Sequence, residues 1–564
     1  MSSLVGKKVG GKTYYYLVES ARVDGEPRIV SQRYLGSAED LAAAVAARDA
    51  ASLPERTRHL AFGEVAAVWE MLTRLDVVGL VDEVAGARRS DAGASVGTYL
   101  ALAALNRLVD PRSKAGFAEW WATTAADRFT KIPTRVLDHR RFWDAMHLVS
   151  EADLRAIERR LAERMIDLFG LDVSAVALDM TNFATYLDTA NGRAPIAQRG
   201  RAKQKRSDLR LIGLGLVVTR DGGIPLISHA YPGNRPDVTQ FTTLIDELVA
   251  RYTALTSADG PPGEITVVFD AGQNSTANFD HLAASTLRFV GSVPPSDCPD
   301  LLTRPATHRT PVDGFDGLTA LEARRTVYGT DRRVILTHSP TLHAGQARGL
   351  TQTITKAGAK LDELAATLAR GRTRRGREKV HAEIDTICAD PWLRRVVITN
   401  LTGDTPAEHR LTWAVDQDAR AALEEEIFGK RVLVTDRDDW PVADVVAAYR
   451  SQSDAEFAFR QLKDPHVVSF SPMHHFTDHT IRVHLFTCVL ALQVAHLMRR
   501  HARHAGLDYS VRGLLDHLAG IQETVMIYPS TGGRPKARRM LTETTPTQDR
   551  LAEIFGLARW APRT

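Results

Sequence analysis

The sequence YRSQSDAEFAFRQLKD at residues 449–464 carries polar side chains whose types and spacing could perform chemistry. At about 100° of rotation per residue in an α-helix, Tyr449, Gln452, Glu456 and Lys463 fall at roughly 0°, 300°, 340° and 320°. Arg460 falls at roughly 20°. The five side chains therefore form one polar strip that covers about a quarter of the helix circumference. A polar strip of this kind suggests that this face of the helix contacts a substrate or a ligand.

Two further acids stand where buried strands end. The apolar run VSAVALDM at 173–180 ends near Asp179, and EITVVFDAG at 264–272 ends near Asp270. If the late helix packs beside the sheet, these two carboxylates and Glu456 can meet at one sheet edge. Three carboxylates suit hard divalent cations, which prefer oxygen ligands. We therefore predict a site for two Mg²⁺ ions, with Mn²⁺ as a substitute, that serves phosphoryl transfer.

Basic residues form three clusters in a chain whose formal net charge is only +4. The clusters are RGRAKQKR at 199–206, RGRTRRGREK at 370–379 and GGRPKARR at 532–539. The arginine fork suits phosphate, and three such clusters in one chain indicate a polyanionic partner. The candidate nucleic-acid contacts in the first cluster are Arg199, Arg201, Lys203, Lys205 and Arg206.

The remaining pattern predicts an α/β chain of several domains. Apolar spacing is helical over 57–170, and strands alternate with helices from 171 onward. Residues 12–35 alternate and turn at Asp24-Gly25, which predicts a β-hairpin. The predicted domains are a β-hairpin region at 1–56, a helical domain at 57–170, the first part of the sheet core at 171–285, an insertion with strands and a long charged helix at 286–429, the closing part of the core at 430–505, and a C-terminal tail at 506–564.

Length and composition exclude several classes of protein. With 564 residues the chain is too long for one hydrophobic core, and 44% hydrophobic with 25% charged residues is ordinary for a globular protein. The apolar run at 484–497 is too short to span a bilayer, and the N-terminus lacks the apolar segment of a signal peptide. The three cysteines form no metal-binding pair. We predict a cytoplasmic protein without a membrane partner.

Other side chains offer alternatives to the three acids. The segment 472–484 holds four histidines that could bind a metal, but no cysteine or paired acid accompanies them at ligand spacing. The histidines are His474, His475, His479 and His484. The rival acids are Asp188, Asp208 and Asp237, of which the last suits the start of its helix.

The spacing Tyr449-x2-Gln452-x3-Glu456-x6-Lys463 resembles the Tyr-x2-Arg-x3-Glu-x6-Lys signature of one family. That family is the insertion-sequence-four superfamily of bacterial DDE transposases. The segments ALDMTNF and VVFDAGQNS resemble those around the family's two aspartates, and KTYYYLVES with QRYLG resembles the start of one branch. The departure is Gln452, which stands where the family has arginine. Arg460 lies on the same face of the predicted helix and could take over the arginine's role.

The resemblance implies a fold and a reaction. The fold is an RNase H-like mixed-sheet core, interrupted by a β-containing insertion. Asp179, Asp270 and Glu456 would bind two Mg²⁺ ions. Water would attack the phosphate at an element end, and the freed 3′-hydroxyl would attack target DNA. Tyr449 and Lys463, with Gln452, would contact the terminal nucleotides.

The resemblance also implies partners and a location. The partners would be double-stranded DNA, both terminal inverted repeats and target, and a second copy of the chain in a homodimeric synaptic complex. The helical domain at 57–170 would help to recognise the repeats. The location would be the bacterial cytoplasm, at the nucleoid.

Two other functions fit the same residues. A DNA nuclease with an RNase H-like fold would use the same three acids but would not join strands. A domesticated DNA-binding protein would keep the basic clusters without catalysis, and Gln452 is the residue that favours it.

Overall fold

The computed structural model describes residues 2–23, 25–86, 93–200, 208–256, 265–372, 374–529 and 536–563. Its N-terminal module is an antiparallel sheet of β1 (Ser2–Val9), β2 (Lys12–Val23) and β3 (Glu26–Ser37). Helix α1 (Ala38–Ser52) packs against β3 and β2. The predicted hairpin is β2 with β3, and Gly25 takes a φ of 83° at its turn.

A helical layer follows strand β4 (Arg56–Ala61). Its helices are α2 (Gly63–Arg74), α3 (Val77–Ala85), α4 (Val96–Val109), α5 (Phe117–Trp121), α6 (Ala126–Thr130), α7 (His139–His147) and α8 (Glu151–Phe169). Local sequence sets the ends of α8, the longest of these seven helices. Ser150 and Asp153 form a capping box at its start, and Gly170 ends it in the left-handed conformation.

The sheet core begins at residue 175. Its elements are β5 (Ala175–Thr185), β6 (Gln198–Arg199), β7 (Arg210–Thr219), β8 (Pro225–Pro232), α9 (Phe241–Thr256), β9 (Thr266–Val268), α10 (Thr276–Ala284), β10 (Arg288–Val293), α11 (Pro299–Leu302), β11 (Thr310–Pro311), β12 (Thr319–Val327) and β13 (Thr330–His338).

Two further groups of elements follow along the chain. The first is α12 (Pro340–Ala369), α13 (Arg377–Ile387), α14 (Pro391–Val396), β14 (Val397–Thr402), β15 (Arg410–Val415) and α15 (Gln417–Ile427). The second is β16 (Lys430–Thr435), α16 (Val442–Arg450), α17 (Gln452–Lys463) and α18 (Asp478–His504).

Ten strands of the described residues form one mixed sheet, in the order β11-β12-β13-β16-β10-β9-β5-β7-β6, with β8 paired to β7. At its centre β5, β9 and β10 run parallel, and β7 and β8 return antiparallel beside β5. The predicted α/β multidomain fold with a mixed sheet is confirmed.

The central sheet extends into the region that the sequence assigned to the insertion at 286–429. β13 pairs with β16, which pairs with β10, so β10 to β13 belong to the same sheet as β5. The elements α12 to α15, with the hairpin of β14 and β15, stand apart from it and have their own apolar clusters around Leu361 and Leu350.

Helix α18 is the buried helix that joins the sheet core to the helical layer. It packs against α4 and α7 on one side and against β8 and α17 on the other. By length and composition it could cross a membrane, and it is the one such helix in the described part of the chain. Most of its apolar window is buried inside the protein, however.

Residues 506–564, predicted as a tail, are part of the helical layer. They form α19 (Val511–Ala519), β17 (Gln522–Ile527), β18 (Ala537–Leu541) and α20 (Pro546–Ile554). β17 pairs with both β18 and β4. The carboxylate of Glu523 on β17 is fully buried and accepts from Arg128 at 2.6 Å and from Arg539 at 2.5 Å. A buried charge paired in this way locks β17 to α6.

One buried cation holds the segment that follows α17, and a second lies beside it. Arg107 of α4 donates to the carbonyl oxygens of Ser469 at 3.1 Å, Ser471 at 3.0 Å and Pro472 at 3.2 Å. Lys114 lies beside Arg107, and its buried Nζ has no hydrogen-bond partner. Burial, together with the charge of Arg107, lowers the pKa of Lys114 to about 7.

The Lys114 amine should make the stability of the protein depend on pH. In the unfolded chain it keeps a proton up to about pH 10.4, whereas in the folded chain it loses the proton at about pH 7. Unfolding between these values takes up a proton, so stability rises with pH there. Lys114→Met should raise the free energy of unfolding at pH 6 by a few kcal/mol and should flatten its rise above pH 7, since each pKa unit is worth about 1.4 kcal/mol.

Chemical denaturation at pH 6, 8 and 9.5 measures this effect. A Lys114→Met variant that keeps the wild-type pH dependence would mean that another group titrates in this range.

Candidate active site

Asp179 lies on β5, an interior strand of the sheet. β5 pairs with β7 along most of its length and with β9 at its first three residues, and Val176, Ala177 and Leu178 are fully buried. Oδ1 of Asp179 accepts a hydrogen bond from the N–H of Met180 at 2.7 Å. Because a strand with two partners and a buried face cannot slip in register, the sheet fixes the position of Asp179.

Asp270 lies level with Asp179 at the end of the neighbouring parallel strand. Ala177 on β5 pairs with Val268 on β9, and each aspartate follows two residues later. Neighbouring strands are about 4.8 Å apart, so the two carboxylates start from adjacent positions where β9 ends beside β5. Oδ1 of Asp270 accepts from the N–H of Ala271 at 2.7 Å.

A third position at the same level belongs to Ser292, which the sequence analysis did not single out. Val268 pairs with Val290 on β10, and Ser292 follows two residues later. Its hydroxyl lies 3.1 Å from Oδ1 of Asp270, to which it can donate. Ser292 occupies on β10 the place that Asp179 and Asp270 occupy on their strands. Its position near the end of an apolar strand is the feature of the sequence that could have indicated it.

Tyr449 of α16 contacts the Asp270 carboxylate directly. Its hydroxyl lies 3.3 Å from Oδ1 of Asp270 and 2.9 Å from Oγ of Ser292, and the residue is only 7% exposed. Burial raises the pKa of Tyr449, against the lowering effects of Ser292 and the nearby Arg431, so the hydroxyl keeps its proton and can donate. The contact of Tyr449 with terminal nucleotides stays a prediction; within the protein its hydroxyl orients Asp270.

Helix α17 is attached to β5 at two points, one on each side of Asp179. Nε2 of Gln452 donates to the carbonyl oxygen of Leu178 at 3.0 Å, and Nζ of Lys463 donates to Oγ1 of Thr181 at 2.6 Å. Asp179 and Thr181 share one face of the sheet because side chains alternate along a strand. Asp179 therefore points to the side of the sheet that α17 covers.

Glu456 lies between the two attachments. It follows Gln452 by one turn and precedes Lys463 by two, so the three side chains share the face of α17 that meets β5. Glu456 is exposed, unlike Gln452. Asp179 was predicted to end its strand, but β5 continues to Thr185 because its pairing with β7 runs that far. Asp179 therefore lies within β5, beside the end of β9, and Glu456 lies on the helix that faces β5.

The three carboxylates do not converge at coordination distance. The described residues include no group of three or more His, Cys, Asp or Glu side chains close enough to hold a metal ion. The donors nevertheless fit a hard divalent cation, because all are carboxylate oxygens and the buried Oε1 of Gln452 beside them has no hydrogen-bond partner. Like charges repel at short range, so closure of the three carboxylates needs a cation between them.

Tyr231 borders Asp179 on the other side. Its hydroxyl donates to Oδ1 of Asp237 at 2.7 Å, which gives that rival acid a structural partner. Burial, followed by the charges of Asp237 and Asp179, raises the pKa of Tyr231. The ring lies over Gly213 of β7, where a Cβ would overlap it. Gly213 pairs with Asn182, whose side chain points away from that of Asp179, so Gly213 makes room for the Tyr231 ring on the opposite face of the sheet.

The predicted DNA contacts have different outcomes. Arg460 is exposed, and its guanidinium carbon lies 5.6 Å from the centroid of the Phe457 ring, on the side of α17 that faces Arg499 of α18. Arg199 is exposed on the short strand β6. The other basic residues of that cluster lie outside the described residues; they are Arg201, Lys203, Lys205 and Arg206.

The histidines of 472–484 are structural in their contacts. Burial lowers the pKa of His475 to about 3, and it lowers the pKa of His484 well below its ordinary value. Nε2 of His484 lies 2.8 Å from the carbonyl oxygen of Phe470, and Nε2 of His479 lies 2.9 Å from that of Met146. The neutral imidazole of His484, bonded to backbone in this way, stabilises the path from α17 to α18.

Comparison with known proteins leaves the family open. No family model and no curated protein matches the sequence. Among solved structures, the chain is similar to the piggyBac transposase in a cryo-EM structure of its synaptic complex with hairpin DNA. The identity is 9%, the TM-score is 0.37, and the alignment covers 83% of this chain and 82% of that chain. This TM-score is too low to carry an argument about function.

The attachment of α17 to β5 predicts a measurable coupling between Lys463 and Thr181. Thr181→Val and Lys463→Met should each lower the free energy of unfolding by about 1–2 kcal/mol, because a hydrogen bond to a charged group is lost. The double variant should lose little more than the larger single loss, with a coupling of about 1 kcal/mol.

Urea denaturation of the four proteins measures this coupling. Arg460→Met, on the same helix but away from β5, is the control and should change stability by less than about 0.5 kcal/mol. Fully additive losses in Thr181→Val and Lys463→Met would contradict the attachment.

Proposed function

We propose that this protein is a DDE transposase, an enzyme that cuts DNA at the ends of an insertion sequence and joins the freed 3′-hydroxyl to target DNA. The observation that carries the proposal is the equal level of Asp179 and Asp270 on adjacent parallel strands, with Glu456 on the helix attached to β5 on both sides of Asp179. The resemblance of 449–463 to the superfamily signature supports the same reaction.

Three acids would hold the metal in this proposal. Asp179, Asp270 and Glu456 would bind two Mg²⁺ ions, or Mn²⁺ in their place. When bound, the ions supply activation of the attacking oxygen and stabilisation of the leaving oxygen in an in-line displacement. Asp179 is held by the sheet, and Asp270 by the hydroxyls of Ser292 and Tyr449, so these two ligands need little reorganisation.

The other residues position the acids and the strand. Lys463 donates to Thr181 and lies 5.4 Å from the Phe183 ring, so its charge stands beside Asp179, where a DNA phosphate would need a counter-ion. Gln452 holds α17 through a backbone carbonyl, which a neutral amide does without adding charge. We propose that it replaces the family's arginine in placing the helix, and that the basic clusters bind the DNA backbone of a homodimeric synapse.

A nuclease that cuts without joining is the second candidate. The same arrangement of acids favours it equally, since hydrolysis needs the same groups. Incubation of the purified protein with Mg²⁺, a plasmid target and DNA carrying the flanking sequences of its own gene separates the two. Joined products support the transposase, whereas cut ends without joined products support the nuclease.

Replacement of Asp270 should abolish cleavage but not binding. Asp270→Asn should slow cleavage by about a thousand-fold, because loss of a metal ligand removes several kcal/mol of transition-state stabilisation. Cleavage assays with Mg²⁺ and with Mn²⁺, alongside a gel-shift assay, measure the two effects.

Asp436→Asn is the matched control for Asp270→Asn. Asp436 also follows a strand, and its carboxylate accepts from the N–H of Phe289 at 2.8 Å. It lies at the other end of β10, however, because β16 runs antiparallel to β10. Equal rates in Asp270→Asn and wild-type protein would remove Asp270 from the mechanism.

Tyr449→Phe should weaken the response to metal without removing catalysis. The variant loses the hydroxyl that orients Asp270, so the Mg²⁺ concentration for half-maximal cleavage should rise by about ten-fold. The maximal rate at saturating Mg²⁺ should stay near the wild-type rate. A loss of rate that Mg²⁺ cannot restore would show that Tyr449 acts on DNA and not through Asp270.

A further inference from the structure

A cavity of about 280 Å³ lies outside the candidate active site, between the β18-β17-β4 sheet and the segment that carries α5 and α6. The sheet supplies one wall of this cavity, which we call the sheet cavity. The opposite wall includes Trp121, Thr124 and Thr134. The catalytic proposal assigns no role to this part of the protein.

Arginines stand on both sides of an apolar strip in the sheet wall. Arg58 on β4 pairs with Val525 on β17, which pairs with Arg539 on β18. Neighbouring strands are about 4.8 Å apart, so the two arginines start about 10 Å apart across β17. Arg56 precedes Arg58 by two residues and therefore shares its face. The wall thus presents three guanidinium groups around Val525 and Ile527.

The sheet cavity carries an excess of positive charge. Arg56 and Arg58 are exposed, and Arg58 donates to the carbonyl oxygen of Ala122 at 3.4 Å. Glu523 offsets part of the charge of Arg539 and of Arg128, with which it forms buried ion pairs. Asp127 also lines the cavity. Three lining arginines against one lining acid favour an anionic ligand.

The floor of the sheet cavity is apolar. It is the strip of the sheet wall formed by Leu60, Val525 and Ile527, and the fully buried Trp121 lies in the opposite wall. An apolar surface flanked by guanidinium groups fits a nucleotide, whose base needs a flat apolar contact and whose phosphate needs a cation. A base pair within a duplex cannot reach such a floor, because both of its faces are stacked. The ligand must therefore present an unpaired base.

The third basic cluster of the sequence ends within β18. Of the run at 532–539, Lys536 and Arg538 are exposed next to Arg539. Residues 530–535 lie outside the described residues. The cluster that indicated a polyanionic partner is thus continuous in sequence with the cavity wall.

We propose that the sheet cavity binds a single-stranded nucleic-acid segment, with one unpaired base on the apolar floor and neighbouring phosphates at Arg56 and Arg58. This inference rests on the proposed function in one respect only, which is that the bound strand is DNA. A separate site of this kind holds a displaced strand while the three acids act elsewhere on the duplex.

Salt dependence of binding tests the proposal. The probe is a fluorescein-labelled oligonucleotide of ten thymidines, measured by anisotropy with the full-length protein. The double variant Arg56→Gln/Arg58→Gln should bind at least about ten-fold more weakly. The slope of log affinity against log salt should fall by about 1.4, since each single-strand phosphate contact contributes about 0.7.

The matched control is Arg512→Gln/Arg550→Gln. It removes the same charge from two exposed positions on α19 and α20, neither of which lines the cavity or belongs to a basic cluster. This control should keep most of the affinity. Equal losses in both double variants would mean a diffuse charge effect and would overturn the proposal, and so would an unchanged Arg56→Gln/Arg58→Gln variant.

An uncharged variant tests the cavity itself. Ala537 lines the cavity and is exposed, so Ala537→Phe should fill the space for the base and weaken binding without changing the salt slope. Thermal melting checks that each variant is folded. Unchanged binding by folded Ala537→Phe would overturn the cavity as the site. Free thymidine monophosphate that competes as well as the oligonucleotide would overturn a strand as the ligand.

Failure of this inference is distinguishable from failure of the proposed function. Asp270→Asn should bind the thymidine oligonucleotide like the wild-type protein. If no variant cleaves DNA but the arginine variants still lose binding, the cavity proposal stands and the transposase proposal fails. If Asp270→Asn loses cleavage while the arginine variants bind normally, the transposase proposal stands and the cavity proposal fails.

Discussion

Two hydrogen bonds from α17 to β5 are the constraint on which the candidate site depends. Gln452 and Lys463 reach the strand on either side of Asp179, and Glu456 lies between them on the same helix face. Without these bonds the acid on the helix has no fixed relation to the acids on the strands. Arg107 adds to the constraint, because it holds the carbonyl oxygens of the segment that follows α17.

Strand direction decides which acids join the site, and the sequence carries only part of that information. Asp270 and Asp436 follow apolar strands, and Asp179 lies within one. Asp179 and Asp270 lie level because β5 and β9 are parallel, whereas Asp436 is at the opposite end because β16 is antiparallel to β10. Local pattern therefore predicted the strands and their acids, and the resemblance of ALDMTNF and VVFDAGQNS to the family's aspartate segments selected among them.

The rest of the site depends on contacts between distant residues. The helical wheel placed Tyr449 with the polar strip, but its hydroxyl bonds to Ser292 and Asp270, which no periodicity could indicate. The same helical wheel placed Arg460 on the polar strip. In the structure its guanidinium group lies beside Phe457, on the side of α17 that packs against α18. The pairing of β13 with β16 and of β17 with β4 joins segments that local composition had assigned to an insertion and a tail.

The pairing of β17 with β4 has a consequence for how the chain is made. Nearly the whole polypeptide separates the two strands, and α18, which fills the space beside α4, is also synthesised late. A nascent chain on the ribosome therefore exposes the apolar face of its first helices until translation is almost complete. Such a chain should need chaperone protection during synthesis, and premature termination upstream of residue 522 should yield an insoluble product.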